Sequence, residues 1–121
     1  MKPTRELVIK VVAAYWPERA EDALTLLDRV RSGGESQEGT ARIHLAILKL
    51  TDGCFEKLDD YVAMAIQDYR EALAGAEYSN EMRAYHLRHF NLTEEEKKEL
   101  KAVRKLDSEQ YSAWLGELLE R

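Results

Sequence analysis

One stretch of this 121-residue chain leaves little freedom in what it can form. From residue 55 to 76 one set of apolar residues is Phe55, Leu58, Tyr61, Val62, Ala65, Ile66, Tyr69, Ala72, Leu73 and Ala76. They recur in steps of three and one, the repeat of a single helical face, whereas a strand would demand strict alternation. The spacing predicts a continuous helix of about six turns.

The chain on either side reads the same way. Thr4 can cap a first helix whose stripe is Leu7, Val8, Val11, Val12 and Tyr15. Pro17 has no amide hydrogen, so it ends that helix and suits the first turn of the next. Leu24, Leu27 and Val30 give the second helix its stripe, and Ser32, Gly33 and Gly34 stop it in a loop over residues 32–39. A third helix is expected over residues 38–51. Its Ile43, Leu45, Ala46, Ile47, Leu48 and Leu50 cover most of the circumference, as a central buried helix would. Asp52-Gly53 makes a tight turn that folds helices three and four into an antiparallel hairpin.

Beyond residue 78 three shorter helices are expected. Ser79 or Asn80 starts one that runs to His89. Thr93 with Glu96 forms a capping box for the next. Asp107 with Gln110 repeats that spacing for the last, with Leu106 and Tyr111 as its hydrophobic staple. No repeat of about 34 residues marks a helical-hairpin array. The expectation is an all-α, irregular bundle of five to seven helices, one domain over residues 1–121, with helices three and four as its central hairpin.

The segment from Leu45 to Tyr78, LAILKLTDGCFEKLDDYVAMAIQDYREALAGAEY, resembles a family of small bacterial helical proteins to which no activity is assigned. The resemblance implies a bacterial, cytoplasmic, helical protein. It carries no catalytic, cofactor or partner residue over to this chain.

Chemistry enters mostly by elimination. The net charge of −5 opposes a dedicated phosphate-backbone binder. A single cysteine, Cys54, can neither close an internal disulfide nor build a structural zinc site. No apolar run approaches the roughly 18 residues that span a bilayer. The first ten residues lack a cleavage-site pattern, and a cytoplasmic protein is expected.

His86 and His89, three apart, could share a helix face. No third ligand is placed near them, and Arg83 and Arg88 would repel a cation, so no metal and no cofactor is expected. Glu56, Asp59 and Asp60 fall opposite the apolar stripe as solvated charges, and Asp68 is expected to pair with Arg70 or with Arg42. Cys54 stands where a helix dipole could acidify a thiol, but no base is placed beside it; His44 is ten residues upstream. Lys97, Lys101, Arg104 and Lys105 share one side of a helix, within a basic region from Arg83 to Lys105 that could contact nucleic acid. The acids Glu94, Glu95 and Glu96 lead that helix and the bases trail it, which the helix dipole favours with no ligand at all.

Tyr85, Phe90 and Trp114 are aromatic residues near element ends, a placement suited to a protein contact and equally to capping a small bundle. The leading expectation is therefore a non-enzymatic protein-interaction module, binding a protein partner or its own copy. A nucleic-acid-binding helical domain and a small helical ligand-binding protein or enzyme stand as alternatives, and no membrane role is expected.

Overall fold

The computed structural model describes residues 2–31, 36–84 and 91–121. Its regular elements are α1 (Arg5–Tyr15), α2 (Ala20–Leu27), α3 (Gln37–Thr51), α4 (Leu58–Gln67), α5 (Tyr69–Glu77), α6 (Ser79–Arg83) and α7 (Glu94–Leu119). A 3-10 turn, Phe55–Lys57, leads into α4. Among the described residues there are seven α-helices and no strand, so the fold is the expected all-α bundle. Residues 32–35 of the glycine-rich loop, and residues 85–90 with Tyr85, His86, Leu87, Arg88, His89 and Phe90, lie outside the described residues.

α3 is the axis of the bundle. Ala41, Thr51 and every residue from Ile43 to Leu48 are buried, which leaves no solvated stripe over most of its length. It packs against α1, α4 and α5. Ser36 caps it, accepting from the Gly39 amide at 3.2 Å. At its other end Asp52 takes a left-handed conformation (φ 49°) and Gly53 follows at φ 83°. A side chain at Gly53 would be strained by that φ and would press the Tyr15 ring at 3.3 Å. α1 starts as its sequence dictates, with the Thr4 hydroxyl accepting from the Leu7 amide at 3.1 Å. Pro17, by contrast, lies in the turn before α2, which begins only at Ala20.

Two expectations about helix continuity fail, in opposite directions. The long stripe from Phe55 to Ala76 is three elements. At Asp68 the backbone becomes extended (φ −155°, ψ 99°), and its carboxylate caps α5 by accepting from the Arg70 amide at 3.0 Å. Leu58, Val62, Ala65, Ala72 and Ala76 face the core, but Ile66 and Tyr69, flanking the break, are 58% and 39% exposed. Conversely, the two expected C-terminal helices are one, the 26-residue α7. The Thr93–Glu96 capping box forms at its start, at 3.0 and 3.1 Å. Asp107 lies within α7 and starts no helix, and Leu106 is 42% exposed, so the Leu106–Tyr111 staple does not form.

Asp107 instead acts across the fold. Though 4% exposed, its carboxylate accepts from the Asn80 and Glu81 amides at 2.9 and 3.1 Å and from Asn80 Nδ2 at 2.8 Å. Those amides open α6, whose own preceding residue, Tyr78, makes no side-chain cap. An aspartate of one helix thus supplies the N-terminal cap of another. Among the described residues no helix is long and apolar enough to cross a membrane.

Candidate functional site

The aromatic residues at one end of the bundle are tied to one another. Trp16 is buried and donates its indole N–H to the Gly53 carbonyl at 2.8 Å, with its ring edge-on to Phe55. Trp114 is half-buried and donates to the Tyr15 hydroxyl at 2.7 Å. The Arg19 guanidinium lies 3.5 Å over the Phe55 ring. This end closes α7 onto α1, and Trp114 has its polar atom engaged in doing so.

The basic stripe is largely neutralised. Lys97 meets Glu94 at 3.3 Å, Arg104 meets Glu81 at 2.9 Å and Lys105 meets Glu109 at 3.9 Å, while Lys101 is exposed. Three of the four bases thus already face a carboxylate. Glu56, Asp59 and Asp60 are exposed, as their place opposite the stripe implied. Asp68 pairs with Arg70, whose hydrogen bonds hold its carboxyl below the usual range. Arg42 turns elsewhere, to Glu77 Oε2 at 2.9 Å and to the Tyr78 hydroxyl at 3.1 Å. The half-buried Cys54 meets only Glu56 among these groups, its Sγ 3.5 Å from the carboxylate. No group of three or more His, Cys, Asp or Glu among the described residues could hold a metal ion.

A groove of about 520 Å³ runs between α7 and the end of α5. Tyr78, Tyr111 and Leu115 give it aromatic and apolar walls, and Ser108, Ser112 and Gly116 give it a smooth floor. These three small residues are four apart, so they form one ridge of α7. A Cβ added at Gly116 would meet nothing within 4 Å. The Tyr111 phenol is pushed up to about 12, mainly by burial and then by the Glu77 carboxylate, so it stays neutral and keeps its proton. The Arg42–Glu77–Tyr78 cluster stiffens the α5 side of the groove.

The groove was not foreseen, although a signal for it exists. Ser108, Ser112 and Gly116 step by four through a helical stretch, and three small residues in that register leave a helix surface flat. No family model, curated protein or solved structure matches the chain. The resemblance over residues 45–78 therefore rests on those residues alone.

Proposed function

We propose that this protein is a non-enzymatic protein-interaction module that takes a helix of a partner protein into the groove beside α7. Gly116 carries the reading. A glycine inside a helix costs roughly 0.5–1 kcal/mol relative to alanine. Here nothing among the described residues needs the missing side chain, because a Cβ there would meet none of them within 4 Å. Close approach by another backbone would need it. A partner helix could seat its own ridge along Ser108, Ser112 and Gly116 at short interaxial distance, with Tyr78 and Tyr111 as aromatic walls. The nucleic-acid alternative has less support, since Lys97, Arg104 and Lys105 already face carboxylates.

The test plugs the groove without harming the fold. Gly116→Arg places a long side chain in open space and raises helix propensity. Wild type and variant are immobilised and exposed to the same cell extract, with and without nuclease treatment. A protein retained stoichiometrically by the wild type and lost by the variant supports the groove. Equal retention by both, or none by either, refutes it. Retention that disappears on nuclease treatment would move the function to the basic face.

A further inference from the structure

The ridge of α7 that floors the groove ends in opposite charges. Ser108, Ser112 and Gly116 step by four, and the same step reaches Arg104 at one end and Glu120 at the other. The Arg104 side chain is 61% exposed, and its Nε donates to Glu81 at 2.9 Å. Its terminal nitrogens make no hydrogen bond among the described residues. Glu120 keeps a right-handed helical backbone (φ −86°, ψ −9°), so it stays on the ridge one turn beyond Gly116. It is exposed and meets no base among the described residues.

Outward from Ser112 this ridge is complementary to its own reverse. Ser108 and Gly116 stand four residues to either side, and Arg104 and Glu120 stand eight. A second α7 laid antiparallel across Ser112 sets Ser108 against Gly116 of the other copy, small against small. It also sets Arg104 against Glu120 of the other copy. In a two-fold interface every such pairing occurs twice, so self-complementarity is what that symmetry requires. A parallel arrangement would instead bring Arg104 to Arg104 and Glu120 to Glu120. Small residues alone say only that another backbone comes close. The charges at the two ends of the ridge say which backbone.

We propose that the groove beside α7 seats α7 of a second copy of this chain, antiparallel about Ser112, in a two-fold dimer closed at each end by an Arg104–Glu120 pair. This dimer rests on the reading of the groove given above and names its occupant. Tyr78 and Tyr111 wall the groove beside the ridge. A guanidinium carries five donors, so Arg104 holds Glu81 through Nε and offers its remaining N–H groups to the incoming carboxylate. Exposed ion pairs contribute modestly, and these two select the second copy more than they hold it. The dimer therefore depends on concentration, and the dilute chain keeps its groove open.

Sedimentation equilibrium of the full chain, from micromolar to millimolar concentration at low salt, tests the dimer by charge exchange. Wild type should dimerise, and Gly116→Arg should abolish the association. Arg104→Glu and Glu120→Arg each turn both end pairs into like charges, and each should weaken the dimer about tenfold. Glu120→Arg also makes the acidic chain less negative, so bulk repulsion alone would tighten the dimer where the pairing loosens it. An equimolar mixture of the two charge variants rebuilds both pairs in a heterodimer and should recover the wild-type affinity. That recovery separates a lost pairing from a lost fold, since Arg104→Glu removes the Glu81 contact as well. A monomeric wild type, a charge variant that dimerises as tightly as wild type, or a mixture that fails to recover overturns the self-pairing. The groove reading outlives that result if a different protein is retained from cell extract by the wild type and lost by Gly116→Arg.

Discussion

The two ends of the chain are held together by different physics. α1 and α3 are bound by hydrocarbon: Leu7, Val8, Val11 and Val12 meet a third helix that buries almost everything it has. α7 is the longest helix, yet its buried residues are Asp107, Leu115 and Leu118. Its middle is fastened by polar contacts, from Asp107 to the start of α6, from Arg104 to Glu81 and from Asn80 to Gln110. Apolar packing is non-directional and supplies bulk stability; hydrogen-bonded fastening is directional and supplies a defined position at modest net gain. The α7 side is accordingly where surface remains open, as the groove along Ser108, Ser112 and Gly116.

The largest effect should come from the apolar half. Leu48 is fully buried in α3, and Leu48→Ala removes three carbons from a site ringed by fixed helices. A loss of about 2–5 kcal/mol in unfolding free energy is expected by urea titration. A loss below about 1 kcal/mol would mean that the core can close around the gap and is not the rigid half described above.

Asp107→Ala should cost less and act more locally. It strands the Asn80 and Glu81 amides, a loss of about 1–3 kcal/mol. Hydrogen exchange should show α6 and the first half of α7 opening while α3 keeps its protection. Loss of protection spread evenly through α3 would erase the distinction and make the chain a single cooperative unit.

Acid should probe the apolar half in a third way. His44 has its pKa lowered in the folded state by burial, against an ordinary value of about 6.5. Between those two values the unfolded chain holds a proton that the folded chain refuses. Stability therefore rises with pH in that window and is full above it. It should fall as the solution is acidified from about pH 6.5 down through the folded pKa. Urea midpoints measured on either side of that value read the effect. A flat profile there would mean that the ring accepts a proton without cost, contrary to its place in the core.

Much of this fold is legible in the sequence because its signals are local. Thr4, the Asp52-Gly53 turn and the Thr93–Glu96 box each decide a helix end from within three residues, and the buried circumference of α3 is visible in its composition. The two errors have different causes. Asp107 and Gln110 have capping-box spacing, but the amides that Asp107 serves are 27 and 26 residues away, and no glycine or proline interrupts α7 there. Spacing cannot tell a residue that starts its own helix from one that starts another. At Asp68 the signal was present and outvoted: Asp68 and Glu71 have the spacing of a helix start, while the apolar stripe continued across them. The buried polar contact of His44 is visible only in three dimensions, since its Nε2 meets the Val30 carbonyl at 2.8 Å from 14 residues away.

The smallest predicted effect is the most discriminating between the two halves. Gly116→Ala adds a methyl where a Cβ meets nothing, so it should stabilise α7 by about 0.5–1 kcal/mol. For a domain of this size that is a rise of a few degrees in melting temperature, roughly 2–8 °C. Gly75→Ala is its counterpart on the apolar side, because a Cβ there would meet Leu50 Cδ2 at 3.2 Å and make that side chain give by a few tenths of an ångström. The two substitutions are chemically identical and both remove a helical glycine. They should nonetheless move the melting temperature in opposite directions, up beside the open groove and down against the packed core. If both raised it, the α3–α5 contact would be loose enough to admit a methyl, and the apolar half would lose its claim to be the close-packed one. If both lowered it, the space above Gly116 would be filled in solution by something the free chain supplies, and the groove would not be open to a partner.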